Sequence, residues 1–242
     1  MSYEREDLER QVALHRWYHT IELAPGIVTE GMFDHRAAVD RYLLPAKLPG
    51  MRCLDVGTMD GFWAFEMERR GAEEVVATDV GAVDDLDWPP RWRAQIEASL
   101  DETRDARFRL AHQALDSRVK WIERSVYSLD TDLGEFDLVF CGDLLVHLKD
   151  PITAIERLRA VCRGSAIVCN PVKRFRFGGR RALAQFDGIE EFQWWLLSEA
   201  SIRRMMLATG FARVEIGPRF ALPASGGGKW KGLRTVMRGF VA

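Results

Sequence analysis

The sequence predicts a doubly wound α/β domain whose mostly parallel sheet, of about seven strands, ends in an antiparallel hairpin. Three observations predict it. Short apolar runs alternate with helical stretches from residue 51 to residue 170, the pattern of parallel strands joined by crossover helices. The first run leads straight into a glycine-bearing turn, Gly57 to Gly61. After Gly210 two apolar runs follow one another with only a glycine-rich loop between them, and such a pair can lie antiparallel.

Taken in order, residues 4–16 read as an amphipathic helix with Leu8, Val12 and His15 on one face. A Gly/Pro-containing stretch, 24–31, separates it from a short helix at 35–44, which Pro45 and Pro49-Gly50 punctuate. Residues 1–49 thus form an N-terminal helical extension or lid, and 50–242 the main domain. Strand 51–56 leads into a helix at 61–70, closed by Gly71. Strand 74–79 precedes an irregular stretch, 83–92, rich in Asp, Trp and Pro, and a long polar helical region then reaches 117. Strands 119–125, 136–141 and 165–170 complete the parallel part. The helix 150–161 opens on Asp150-Pro151, an acidic N-cap with proline in the first turn. A helix at 198–209 stops at Gly210, and strands 212–217 and 233–241 make the closing pair around Gly226 to Gly228.

The 242 residues suit one such domain, and a composition 47% hydrophobic and 29% charged is that of a soluble globular protein. No apolar run approaches a membrane span and the acidic, polar start is no signal peptide, so the expected location is the cytoplasm. Cys53, Cys141, Cys162 and Cys169 stand singly, which predicts buried free thiols in place of a disulfide framework or a metal site. From Pro171 onward 13 Lys or Arg face 5 Asp or Glu, with Lys173, Arg174, Arg176, Arg180 and Arg181 in one cluster. The cluster reads either as a surface for an anionic substrate or RNA, or as a solvated loop balancing an acidic half.

The chemistry concentrates in Cys53 to Gly61. Gly57 permits a sharp turn and close approach of a ligand, and Gly61 opens the helix with no side chain in the way. A ligand is expected at this strand's carboxyl end. Asp79, 22 residues beyond Gly57, ends the second strand, where a carboxylate can accept both hydroxyl hydrogens of a ribose. That spacing also suits a nicotinamide dinucleotide. Met59 counts against it, standing where such a site wants glycine under the pyrophosphate.

This segment resembles motif I of class I S-adenosylmethionine-dependent methyltransferases, with Met59 in place of the usual middle glycine. The resemblance implies S-adenosylmethionine as cofactor, with Asp55 and Gly57 near its methionine part and Asp79 on its ribose. Thr58, Gly61 and Val80 belong to the same set; Ser125, Val126 and Tyr127 match the position flanking adenine. Cys141 and Gly142 match the segment beside the methionine moiety, and Asp143 the approach to the acceptor. Leu145 to Pro151 looks like the family's hydrophobic-x-His-Leu-x-Asp-Pro stretch, and Trp194-Trp195 before a helix ending Ala208-Thr209-Gly210-Phe211 is also similar. The likeness covers about 50–242 and identifies the class, not the acceptor.

Further forward, Trp17 to Leu23, with Gly26, Thr29 and Gly31, resembles the lead-in segment of a group related to the tRNA wobble-uridine carboxymethyltransferases. Those enzymes use a carboxylated cofactor. No motif places basic residues for the extra carboxylate here, so ordinary methyl transfer is the expectation.

In-line methyl transfer needs an aligned nucleophile, exclusion of water and often a base. His147, at the fourth strand's exit, and His19, among aromatics in a segment that could cover the cofactor, are the base candidates. Each also reads as structural, His147 holding the next loop and His19 buried in a helix. His15, His19 and His35 are a minor metal alternative, and no metal is expected. Trp17, Tyr18, Trp194 and Trp195, with Phe62 and Trp63, offer either surface for a flat acceptor and a sulfonium or ordinary core packing. The stretch Trp88 to Trp92 is expected near the adenine. The leading expectation is a small-molecule acceptor with an oxygen or nitrogen nucleophile, anionic if Lys173 and Arg174 serve it. A tRNA-modifying enzyme and a non-catalytic cofactor-binding partner protein are the alternatives, and a homodimer is left open.

Overall fold

A computed structural model of the chain describes residues 4–97, 105–173, 181–189, 192–222 and 232–242. Its N-terminal extension is less helical than the sequence predicts. Helix α1 (Arg5–Ala13) stops three residues early and leaves His15 beyond its end. Strands β1 (Glu22–Ala24) and β2 (Ile27–Val28) make a small antiparallel hairpin, turning at Gly26 in the left-handed region (φ 78°). His19 lies in extended chain bridged to Phe33, not in a helix. Two features override a helical reading. The stretch is rich in β-branched residues, and Thr29 Oγ1 both accepts from the Ile21 N–H (2.8 Å) and donates to the His19 carbonyl (2.7 Å). Gly31 passes so near that a Cβ there would lie 2.1 Å from the His19 carbonyl carbon. The expected helix at 35–44 is a 3-10 turn over Arg36–Tyr42, ended by left-handed Leu43.

The alternating part follows the predicted order: β3 (Arg52–Val56), α2 (Phe62–Arg69), β4 (Glu74–Asp79), α3 (Pro90–Glu97), α4 (Ala106–Ala114), β5 (Lys120–Glu123), β6 (Phe136–Gly142), α5 (Pro151–Ala160) and β7 (Cys162–Pro171). The long polar helical region is therefore two helices, with 98–104 outside the described residues. Asp150 caps α5, its carboxylate accepting the Thr153 N–H. A hairpin that periodicity did not reveal comes next, β8 (Ala184–Phe186) with β9 (Trp195–Leu197). Trp194-Trp195 thus opens a strand. Helix α6 (Glu199–Ala208), β10 (Arg213–Ile216), the short β11 (Phe220–Ala221) and β12 (Leu233–Phe240) complete the chain; the loop Gly226 to Gly228 lies outside the described residues.

The main sheet runs β10-β12-β7-β6-β3-β4-β5, with β11 beside β12. The neighbours from β7 to β5 are parallel, and β12 runs antiparallel to both β7 and β10. The closing strands do pair antiparallel, but β12 slots between β10 and β7. Burial explains the order. β12 is buried at Arg234, Thr235, Val236 and Met237, whereas β10 buries only Val214, so the apolar strand takes the interior and the amphipathic one the edge.

Two cores flank the sheet. One joins Leu54, Val139 and Val168 to α5 and α6. The other joins Cys53, Leu138 and Ile167 to α2, α4 and the extension, through Leu8, Trp17, Ile21, Leu23, Ile27 and Tyr42. All four cysteines are buried and unpaired. Among the described residues no helix is long and apolar enough to cross a membrane.

Candidate active site

The turn after β3 is held on both sides. The Gly57 and Thr58 N–H groups donate to the Thr78 carbonyl at 2.8 and 3.1 Å. Gly57 (φ 74°), Met59 (φ 54°) and Gly61 (φ 93°) are all left-handed, so Met59 adopts a conformation that favours glycine. That conformation costs a residue with a Cβ roughly 1–2 kcal/mol. Offsetting it, the Met59 N–H donates to Asp79 Oδ2 (2.8 Å), while Asp79 Oδ1 accepts the Val80 N–H (2.8 Å). Behind the turn Asp55 is buried and accepts the Thr58 hydroxyl (2.7 Å); burial pushes its pKa up to about 7.

Asp60 lies inside the same turn, and sequence reasoning missed it. It is wholly buried, and its Oδ2 accepts the backbone N–H groups of Tyr18 (2.8 Å) and His19 (2.9 Å). Its Oδ1 meets Nδ1 of the His19 ring. Burial opposes ionisation of Asp60, but the adjacent imidazole and these hydrogen bonds hold its pKa below the usual carboxylate range. The signal was a carboxylate one residue before Gly61, where the chain is already committed to the interior. His19 stacks on Phe62 at 5.5 Å and lies 5.2 Å from the His35 ring. His35 is bonded through Nδ1 to the Tyr42 hydroxyl (2.7 Å), and burial sets its pKa well below the usual imidazole value. His15 stands instead beside Trp17, so the three histidines are not one cluster.

On the neighbouring strand ends, left-handed Asp143 (φ 51°) accepts Nε of Arg234 at 2.7 Å. Arg234 is 1% exposed; burial works against its charge and the Asp143 carboxylate works for it, with the net shift of its pKa upward. Sequence reasoning missed Arg234, because an arginine near the start of an apolar strand looks like a surface residue. Burial raises the pKa of Tyr18, and the charge of Asp143 raises it further, which places the phenol near that pair. Gly142 sits against Phe140 and Trp63. Cys141 is a core residue whose thiol burial keeps protonated.

A cleft of about 510 Å³ opens beyond β4 and β5, lined by Val80, Asp85, Glu123, Arg124, Ser125 and Ser128. Val126 is buried in the core that also holds Leu54 and Val139. The Tyr127 hydroxyl donates to Asp87 (2.6 Å) and accepts the Asp150 N–H (3.1 Å). His147 is tied through Nδ1 to the Phe192 carbonyl (2.6 Å) and lies 5.5 Å from the Trp88 ring; burial lowers its pKa. Trp92 Nε1 donates to the Ile189 carbonyl (3.1 Å) and Trp195 Nε1 to the Lys149 carbonyl (2.9 Å). The stretch from Trp88 to Trp92 therefore packs on the β8–β9 connection. Trp194 is held there too, its N–H donating to the Val146 carbonyl (2.8 Å). Trp17 is buried, with its indole N–H on the Val12 carbonyl (3.0 Å), and packs in the core. Lys173 donates to the Gln185 side chain (2.7 Å), and Arg174 lies outside the described residues.

These residues fit an adenosyl cofactor. A strand-end carboxylate sits between a left-handed turn and an open cleft, and each carboxylate oxygen can accept more than one hydrogen bond. The sheet order, its one antiparallel strand and this turn are those of the class I methyltransferase fold. A profile described as a methyltransferase domain matches residues 32–216, and the chain belongs to that family. It is 28% identical over 114 residues to a tRNA U34 carboxymethyltransferase of Campylobacter hominis, covering 47% of this chain and 33% of that protein. It is also 28% identical over 179 residues to a ubiquinone biosynthesis O-methyltransferase of Psychrobacter arcticus, covering 70% and 62%. The chain therefore spans less than two thirds of either relative. Among solved structures, the N-terminal domain of EvdMO1 with SAH bound matches with a TM-score of 0.61 at 19% identity, over 100% of this chain and 98% of that one. The 1,6-didemethyltoxoflavin-N1-methyltransferase of Burkholderia thailandensis matches at 0.52 and 17%, over 80% and 72%. At these identities the two structures share the fold.

Proposed function

We propose that this chain methylates an oxygen or nitrogen nucleophile of a small molecule, delivered where Tyr18 and His19 meet the glycine turn and Asp143. The observation that carries the reading is the bonding of the extension to the cofactor turn through Asp60. S-adenosylmethionine supplies an electrophilic methyl group. Asp79 and the cleft at Val80 and Ser125 hold ribose and adenine; Asp55, Gly57, Thr58 and Gly142 border the methionine part. The extension, residues 1–49, walls the acceptor side and excludes water. His19 takes the acceptor's proton, and His147 fixes the loop around Phe192. The names of the ubiquinone and toxoflavin enzymes, both small-molecule methyltransferases, support the acceptor class.

Calorimetric titration with S-adenosylmethionine, S-adenosylhomocysteine and NAD tests the reading. Binding of both adenosyl sulfur compounds and not NAD is the expected result; binding of NAD alone would overturn it. Asp79→Ala is expected to weaken cofactor binding by about 1–3 kcal/mol, because a charged acceptor loses its ribose hydroxyls. A second reading, modification of tRNA, is favoured by the match to the carboxymethyltransferase. It predicts binding of bulk tRNA that falls steeply with salt.

A further inference from the structure

Resting on methyl transfer as proposed above, we infer that Asp60 is a positioning residue for His19 and that the pair commits the enzyme to a hydroxyl acceptor. Three hydrogen bonds converge on one carboxylate, two from main-chain N–H groups and one from the imidazole. A carboxylate ionised at neutral pH is an acceptor only, so Nδ1 of His19 must carry the proton it shares with Asp60. In the neutral ring that leaves the lone pair on Nε2, which has no hydrogen-bond partner among the described residues. The two backbone bonds fix the ring's origin, and the stack on Phe62 fixes its plane. Asp60 has no exposed side-chain surface while His19 keeps 5%, so whatever meets the pair from outside meets the imidazole.

The groups around the ring are few. Asp60 and Asp55 face it from the turn and β3, and His35 and Tyr18 from the extension. No lysine or arginine side chain is bonded to Asp60 among the described residues, so the carboxylate is dedicated to the histidine and its backbone. The desolvation cost of burying such a pair can exceed its Coulombic gain, so stability alone is a weak reason to keep it. A neutral amine attacks with its own lone pair and can lose its proton afterwards. A hydroxyl becomes a good nucleophile only as its proton leaves, which is the task a positioned imidazole performs. As the acceptor oxygen bonds to the methyl carbon, its O–H proton passes to Nε2 of His19. The electrons of the breaking carbon–sulfur bond remain on sulfur. The positive charge of the sulfonium thus ends on an imidazolium beside Asp60.

Two measurements test this. Long-range proton–nitrogen NMR on histidine-labelled wild-type protein reads the tautomer directly, with no acceptor and no variant. The expected result is a protonated Nδ1 and a bare Nε2 in neutral His19; a protonated Nε2 overturns the proposal. The second uses carbon-13 methyl-labelled S-adenosylmethionine with a catechol and a sugar alcohol, each paired with its amine analogue. Methyl signal on oxygen is expected, and preferential methylation of the amines overturns the hydroxyl assignment while leaving methyl transfer standing. In the same assay Asp60→Asn should lower kcat by about 10²-fold or more, the scale of a lost general base, with cofactor affinity unchanged. A variant that binds cofactor and retains full kcat removes Asp60 from the chemistry. Failure of the wild-type protein to bind S-adenosylmethionine in calorimetry would instead sink the methyl-transfer reading on which this one rests.

Discussion

Met59 adopts a glycine conformation with a side chain attached, and the surrounding hydrogen bonds hold it there. Met59→Gly should therefore relieve strain, raising stability by up to about 1 kcal/mol after the extra chain entropy of glycine is subtracted. Denaturant midpoints with unchanged slopes would check it, and a loss of stability would mean that the thioether packs usefully. Asp55 makes a second residue-scale prediction. Its folded pKa, near 7, lies above the ordinary 3.8, so the folded protein holds a proton that the unfolded chain has released between those values. The cofactor-free protein should lose stability as pH rises through that window, the reverse of a salt-bridged carboxylate. Cofactor charge beside Asp55 favours its ionised form, so cofactor affinity should rise from pH 6 to 8, with proton release seen by calorimetry in buffers of different ionisation enthalpy. Affinity that is flat with pH would remove Asp55 from the methionine end.

At the scale of elements, indole N–H groups and one imidazole lash three connections together: the stretch after β4, the turn after β6, and the β8–β9 hairpin. The exposed surface of that hairpin is apolar at Phe186 and Ile189, so its placement depends on these few directional bonds. His147→Ala should release the Phe192 carbonyl and speed amide exchange across 184–197. Turnover should fall while cofactor affinity is retained. Slowed turnover without faster exchange would instead return His147 to the list of bases. Helix ends behaved as local chemistry dictates: Asp150-Pro151 starts α5, and left-handed Gly71 follows α2. The hairpin was not legible because three-residue strands carry too little periodicity to be seen.

For the whole molecule, the decisive fact is that the extension shares a core with the sheet. Tyr42 packs on Trp63 at 4.2 Å, and Trp63 on Phe140 at 4.5 Å, a continuous aromatic column from extension to β6. Removal of residues 1–49 should therefore expose that column and give a chain that aggregates or binds a hydrophobic dye, where a detachable lid would leave a folded, cofactor-binding domain. Circular dichroism and dye binding of the truncated protein distinguish the two. The same column explains why His19 cannot be assigned from sequence alone. Its partner, Asp60, is 41 residues away, and only the packing of Trp17, Ile21 and Phe62 into one core brings the two into contact.

By itself the sequence determined the order of strands and helices from β3 to β7, the turn at Gly57 to Gly61 and the acid at Asp79, because each depends on local periodicity, backbone freedom or the end of a strand. It also predicted that two apolar strands near the chain's end pair antiparallel, as β10 and β12 do. Only the tertiary structure decided that β12 lies inside β10, that Trp17 packs in the core, and that Asp60 and Arg234 are buried partners of His19 and Asp143. Those outcomes turn on which groups lose water together. Burial and pairing are set by residues distant in the chain, and no local pattern records them.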